Sequence, residues 1–158
     1  MSNHGAHFEL SSHQKTEVFA KELGAFLKAG DTILLDGSIG AGKTYFARCL
    51  IQSLLTVPED VPSPTFTLVQ TYETRAGTVW HADLYRIGSI HEIEELGLTE
   101  AFEDAVCMVE WPDRLGELTP KNALNLQFST TDQDEVRMLC ASWVNPRWNA
   151  PMSHWKTI

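Results

Sequence analysis

The chain has 158 residues, with 12 lysines and arginines against 21 aspartates and glutamates, so its formal charge near pH 7 is −9. A hydrophobic fraction of 43% and a charged fraction of 21% are typical of a folded globular protein and exclude a disordered or collagen-like chain. The length predicts one domain over residues 1–158, and the negative charge argues against autonomous nucleic-acid binding, which depends on lysine and arginine.

Apolar periodicity and turn residues predict the secondary structure of the first half. We expect a strand over 8–10, a helix opened by a capping box at Ser11 and Gln14 and ended by Gly30, and a buried parallel strand over 32–35. A second helix carries Phe46, Leu50 and Leu54, and a proline-rich loop over 58–64 follows it.

The second half is predicted to contain more strands than helices. We expect a hairpin of strands over 66–72 and 78–85, a short helix opened by a capping box at Ser89 and Glu92, a buried strand over 106–109, and a hairpin over 123–128 and 136–143. The core is predicted to span about 8–143, and residues 145–158 are predicted to form an irregular C-terminal tail.

The cysteines and the apolar runs of the sequence indicate the cellular compartment of the protein. Cys49, Cys107 and Cys140 are far apart and lie in apolar stretches, so we expect reduced core residues. The N-terminus lacks the pattern of a signal peptide, and the longest apolar run, 105–109, is too short to span a membrane. We therefore expect a cytoplasmic protein without membrane association.

Much of the acidic excess lies in one stretch, which we call the acidic stretch. Arg114 is the one basic residue that offsets its negative charge. We predict that the acidic stretch is either a solvated face or a surface that docks a protein. Its members are Glu92, Glu94, Glu95, Glu100, Glu103, Asp104, Glu110, Asp113 and Glu117.

The segment 37–44, GSIGAGKT, matches the phosphate-binding pattern G-x-x-x-x-G-K-[ST] in full. Its glycines let backbone N–H groups surround phosphates, Lys43 supplies a cation, and the Thr44 hydroxyl suits Mg²⁺. Because the segment follows a predicted buried strand and precedes a predicted helix, we expect a three-layer α/β P-loop NTPase fold with a central, mostly parallel sheet and antiparallel additions. The predicted nucleotide-binding residues are Gly37, Ser38, Ile39, Gly40, Ala41, Gly42, Lys43, Thr44 and Tyr45.

Nucleotide hydrolysis also needs a carboxylate at the end of a neighbouring strand. Glu110 follows four apolar residues, the form of a Walker B strand, although a solvated strand end is the alternative. His81, Asp83 and Tyr85 alternate and share one strand face, where His81 is either catalytic or a structural hydrogen-bonding residue. Arg86 contacts either a phosphate or an acidic partner. Since no N-K-x-D string for guanine occurs, ATP is the expected nucleotide.

Four strings together resemble the bacterial TsaE (YjeE) family of small ATPases required for threonylcarbamoyladenosine in tRNA. They are GSIGAGKT at 37–44, SPTF at 63–66, HADLYR at 81–86 and VEW at 109–111, and the resemblance covers about residues 8–143. Ser38 departs from the acidic residue that the family often has there, at a variable position of the loop.

The resemblance implies an ATPase, slow by itself, that serves the TsaB–TsaD complex in transferring threonylcarbamoyl to the adenosine next to the anticodon. It implies that tRNA is reached only through these partners. By similarity, Thr44 and Glu110 would hold Mg²⁺ with Asp83 near the metal and water, and Ser63 and Thr65 would sense the γ-phosphate. The implied catalytic residues are Lys43, Thr65, Asp83 and Glu110.

Two other functions fit a phosphate-binding loop in a chain of this length. A small-molecule kinase would need an arginine-rich lid, and the six arginines are widely spaced. A non-catalytic adaptor would bind ATP only to order its switch loop. The presence of Glu110 argues against this alternative.

Overall fold

The computed structural model of the chain describes residues 3–158; residues 1 and 2, where the predicted domain and its N-terminal segment begin, lie outside the described residues. Within 3–158 there are seven strands, β1 (His4–Leu10), β2 (Thr32–Asp36), β3 (Val69–Thr74), β4 (Gly77–Asp83), β5 (Val106–Glu110), β6 (Leu124–Thr130) and β7 (Arg137–Trp143). The helices of this part of the chain are α1 (His13–Gly24), α2 (Lys43–Leu54), α3 (Ile90–Glu95), α4 (Leu98–Asp104) and α5 (Asn149–Trp155), with 3-10 helices over Pro112–Leu118 and Pro146–Trp148.

All seven strands of the described chain form one sheet in the order β1-β7-β6-β2-β5-β4-β3. The strands β6, β2, β5 and β4 are mutually parallel, and β3, β7 and β1 add to the two sides in antiparallel pairs. The predicted central parallel sheet with antiparallel additions is therefore confirmed. Because carboxyl ends of parallel strands share one edge, Asp36, Asp83 and Glu110 end their strands at the same edge, with Asp83 and Glu110 in register.

Alternating side chains of the buried strands serve two separate cores, one on each face of the sheet. Leu35 of β2 packs with α1, α2 and α5, whereas Leu34 packs in the cluster that includes α3 and α4. The near-continuous apolar character of β2 and β5 follows from burial on both faces. This gives the predicted three layers.

Several predicted element boundaries are wrong. Strand β1 begins at His4 rather than at 8, and β4 ends at Asp83 rather than at 85, so Tyr85 does not share the predicted strand face with His81 and Asp83. Helix α1 is capped by Ser12, whose Oγ accepts from Lys15 N at 3.2 Å, and it ends at Gly24 rather than Gly30. Strand β3 begins at Val69 rather than at 66, because residues 65–67 form a turn and Leu68 adopts a left-handed φ of 70° that interrupts an extended strand.

The predicted irregular tail is also wrong, because residues 146–155 are helical and bury one face against the core. Trp148 Nε1 donates to Asn122 O at 2.7 Å, and Trp155 Nε1 donates to Phe19 O at 3.0 Å. Arg147 donates to both carboxylate oxygens of Asp31, at 3.1 and 2.8 Å. The buried residues Trp148, Pro151, Met152 and Trp155 fall at i, i+3, i+4 and i+7, so they form one helical stripe. The prolines at 146 and 151 obscure this pattern in the sequence.

The three cysteines differ in burial. Cys107 is fully buried in β5, and burial raises the pKa of its thiol to about 12. Cys49 is half-buried and packs against the core, whereas Cys140 is half-buried and lies outside the core clusters, so the prediction of a core position is wrong for Cys140. Within residues 3–158, no helix is both long enough and apolar enough to cross a membrane.

We expect Trp155→Ala to lower the free energy of unfolding by about 3–5 kcal/mol, since it removes a fully buried aromatic side chain. Ile158→Ala is the matched control, because Ile158 is 40% exposed and its loss costs less than about 0.5 kcal/mol. Urea denaturation measures both values. Equal stability of the two variants would show that the tail does not belong to the core.

Candidate active site

The glycine-rich loop between β2 and α2 turns sharply against strand β6. Gly37 N donates to Asp36 Oδ1 at 2.8 Å, which fixes the start of the loop. Gly37 has a φ of 137°, and a Cβ placed on it would lie 2.4 Å from Phe128 O. Only glycine therefore fits here without moving backbone. The loop ends at Gly42, which precedes α2 in a left-handed conformation.

Lys43, the first residue of α2, folds back over its own loop. Its Nζ donates to Gly37 O and lies 3.6 Å from the centroid of the Trp111 ring. Burial lowers the pKa of this ammonium, and the neighbouring carboxylates, Glu110 first among them, oppose the shift. Lys43 is only 5% exposed, and its contacts with a carbonyl oxygen and an aromatic ring favour the ammonium form.

The carboxylate of Glu110 joins three elements at the sheet edge. Thr44 Oγ1 of α2 donates to Glu110 Oε1 at 2.7 Å, and His81 Nε2 of β4 lies 2.7 Å from Glu110 Oε2. Glu110 is 2% exposed and His81 is 1% exposed. The structure therefore brings the predicted residues Thr44 and Glu110 into direct contact and excludes the alternative of a solvated strand end.

Asp83 connects the sheet edge to the SPTF loop. Its Oδ2 accepts from Thr65 Oγ1 at 3.1 Å, and its Oδ1 accepts from Tyr85 N at 2.9 Å. Ser63 Oγ lies 2.7 Å from Thr65 Oγ1, so both predicted switch hydroxyls lie on one chain of hydrogen bonds that ends at Asp83.

Arg86 contacts the same SPTF loop through backbone carbonyls and the Phe66 ring. Its guanidinium donates to Thr65 O at 2.9 and 3.1 Å and to Phe66 O at 2.9 Å, and it lies 5.3 Å from the centroid of the Phe66 ring. The predicted carboxylate partner of Arg86 is therefore not found in the described chain, where its guanidinium contacts backbone carbonyls instead. Phe66 itself is 84% exposed.

A cavity of about 310 Å³ opens beside the glycine-rich loop. The ring of Tyr45 lies 5.1 Å from the ring of His13, and burial raises the pKa of Tyr45 to about 12. Arg137 donates to Gly40 O at 3.3 Å and closes the cavity on the side of β7. The other lining residues include Leu10, Thr16, Ala41, Phe128 and Glu135.

The predicted site residues differ in how far they enter this arrangement. The backbone of residues 37–44 forms the loop, whereas the Ser38 and Ile39 side chains are exposed. Sequence reasoning missed Asp36, Arg137 and the Trp111 contact with Lys43. The position of Asp36 directly before the loop could have identified it from the sequence. Nothing in the sequence indicates the contact of Arg137 with Gly40, because the two residues are 97 positions apart.

Comparisons with known proteins agree on one family. The family model described as threonylcarbamoyl adenosine biosynthesis protein TsaE matches residues 10–139. Relatives from several bacteria carry the name tRNA threonylcarbamoyladenosine biosynthesis protein TsaE. The one from Rickettsia bellii is 39% identical, covering 80% of this chain and 88% of the relative. The one from Bacillus subtilis is 37% identical, covering 77% and 76%.

A solved structure matches the fold over nearly the whole chain. The crystal structure of Bacillus subtilis YdiB aligns with a TM-score of 0.78 at 24% identity, covering 99% of this chain and 97% of that one. At 24% identity, this similarity is evidence for the fold alone.

We expect Gly37→Ala to destabilise the protein by about 3 kcal/mol, because the new methyl group meets a backbone oxygen and the residue has a positive φ. Gly40→Ala is the matched control: φ is 80° and no atom lies within 4 Å of the added Cβ, so its cost is about 1 kcal/mol. Urea denaturation compares the two. Equal losses would contradict the close approach of the loop to β6.

Proposed function

The chain belongs to the TsaE family, and from that premise we propose that it binds ATP with Mg²⁺ and hydrolyses the ATP to support threonylcarbamoyl transfer to tRNA. Its place in tRNA threonylcarbamoyladenosine biosynthesis follows from the family. The observation that carries the finer proposal is the contact of the Thr44 hydroxyl with the buried Glu110 carboxylate at the end of the parallel sheet.

Phosphate binding is supported by the loop and by the start of α2. The backbone N–H groups of the loop and the positive end of the helix dipole attract an anion without a basic surface. This resolves the conflict between a charge of −9 and an anionic ligand. Lys43 would exchange Gly37 O for the β- and γ-phosphates, a change that needs only side-chain rotation.

The oxygen donors at the sheet edge fit Mg²⁺. Thr44 gives its hydrogen to Glu110, which leaves the lone pairs of the hydroxyl free for a cation. Asp83 lies in register with Glu110. No cluster of three or more metal-ligating His, Cys, Asp or Glu side chains occurs in residues 3–158, and Mg²⁺ characteristically needs few protein carboxylates because phosphates and water complete its shell.

Hydrolysis requires a water molecule aligned with the γ-phosphorus and a group that orients it. Bound Mg²⁺ would neutralise charge on the phosphate oxygens. Glu110 and Asp83 stand at the edge where that water would lie. Thr65, held by Asp83, would meet the γ-phosphate and couple its presence to the SPTF loop.

The base of ATP would lie in the cavity beside the loop, against Tyr45 and His13. Aromatic and apolar walls favour a stacked planar ring.

We place the partners TsaB and TsaD on the acidic side of the molecule. Glu94 and Glu95 of α3 are exposed, as expected of a docking surface. Because this face repels phosphodiesters, tRNA would be reached only through the partners.

We expect Lys43→Ala and Glu110→Gln to lower ATP turnover at least about 100-fold in the presence of TsaB, TsaD and tRNA, because phosphate binding and the carboxylate are lost. Phosphate release and threonylcarbamoyladenosine formation measure the effect. Lys28→Ala and Glu9→Gln are controls at exposed positions outside the site.

The same experiment separates an ATPase from an adaptor. Full multi-turnover tRNA modification by both variants contradicts an ATPase role. If Glu110→Gln blocks phosphate release but the complex assembles and modifies tRNA fully, the adaptor function is the correct one.

We expect Glu94→Lys with Glu95→Lys to weaken binding to the TsaB–TsaD pair about tenfold at low salt and less at high salt, since exposed charges are screened. Asp132→Lys with Glu9→Lys changes the net charge equally outside the acidic stretch. Isothermal titration measures the affinities. Equal affinity of both double variants would show that the acidic stretch is solvated surface.

A further inference from the structure

We infer that His81 is a positioning residue for Glu110: it holds the carboxylate in the orientation that also contacts Thr44, and it thereby sets the Mg²⁺ dependence of nucleotide binding. The inference rests on the proposed function and goes one step further, because it assigns a role to a side chain whose sequence position fits catalysis and structure equally well.

The geometry of the carboxylate carries the first step. Its two oxygens are bound by two different elements, Oε1 by Thr44 of α2 and Oε2 by His81 of β4, each at 2.7 Å. A carboxylate held at both oxygens cannot rotate about its terminal bond without losing a hydrogen bond. His81 therefore fixes the plane of the group that faces the Thr44 hydroxyl.

The second nitrogen of His81 argues against a purely structural role. A carboxylate accepts hydrogen bonds, so Nε2 carries the hydrogen in this contact. Nδ1 is buried and has no hydrogen-bond partner in the described part of the chain. Buried polar atoms are normally paired, and a histidine that only filled the core would be replaceable by an apolar residue without this loss. The contact with Glu110 is the one polar interaction its ring makes within residues 3–158.

Lys43 explains why Glu110 needs to be held. Among the neighbouring carboxylates that oppose the lowering of the Lys43 pKa by burial, Glu110 has the largest effect. A freely rotating carboxylate would turn toward this cation and leave Thr44. Asp83 cannot replace His81, because a carboxylate has no hydrogen to donate to Glu110; its own oxygens accept from Thr65 Oγ1 and Tyr85 N.

The test compares two amide side chains at position 81. In His81→Gln the amide nitrogen reaches about as far as Nε2 and can still donate to Glu110, whereas in His81→Asn the amide is one methylene shorter and falls short. Both variants are neutral and of similar polarity, and thermal unfolding checks that both fold. The probe is mant-ADP, with its affinity measured in Mg²⁺ and in EDTA, alongside ATP turnover.

We expect His81→Asn to lose about 10- to 100-fold of the Mg²⁺-dependent gain in mant-ADP affinity and a similar factor in kcat, with its affinity in EDTA unchanged. His81→Gln should stay within about threefold of the wild type, because the donor is restored. A structural role alone would lower the unfolding temperature of both variants without this split.

Equal Mg²⁺ dependence in the wild type and both variants, or an equal loss in both, overturns the positioning role. A wild type that binds mant-ADP equally in Mg²⁺ and EDTA overturns the proposed use of Mg²⁺ itself, so the two failures are distinguished by the unmutated protein.

Discussion

The parallel pairing of β2, β5 and β4 is the constraint on which the rest of the structure depends. Parallel strands all end at one edge, so the loop after β2, the carboxylate ending β5 and the carboxylate ending β4 meet there although they are far apart in sequence. The pairing is stable because all three strands are buried in the interior of the sheet. Burial then forces the polar groups at the edge to satisfy one another.

The site is consequently a network of mutually compensating buried groups. Lys43, His81, Asp83 and Glu110 are each at most 5% exposed, and each has a partner inside the protein. Some of these contacts can be exchanged for a ligand, above all that of Lys43 with Gly37 O. Other contacts, such as that of His81 with Glu110, are buried and fix the orientation of the side chains they join. This division separates the groups proposed to bind nucleotide from the group inferred to position them.

The C-terminal segment stabilises the strand that leads into the site. Arg147 binds Asp31, the residue immediately before β2, and also donates to Phe26 O. Because Asp31 is buried, loss of Arg147 would leave its charge uncompensated, so the segment ties the entry of β2 to the core. Trp148 and Trp155 pack on elements at distant sequence positions. A segment without recognisable motifs thus contributes to the same strand as the glycine-rich loop.

The sequence by itself determined the three-layer α/β class, the parallel central strands, the phosphate-binding loop and the family, because these depend on local patterns: apolar runs, glycine spacing and short strings. The sequence also indicated Glu110, since this residue stands at the end of an apolar strand. Only the tertiary structure decided that His81 binds Glu110, that Trp111 lies over Lys43, and that residues 146–155 belong to the core. Those contacts join residues that are dozens of positions apart, and their partners are chosen by sheet register and packing, which no local pattern specifies.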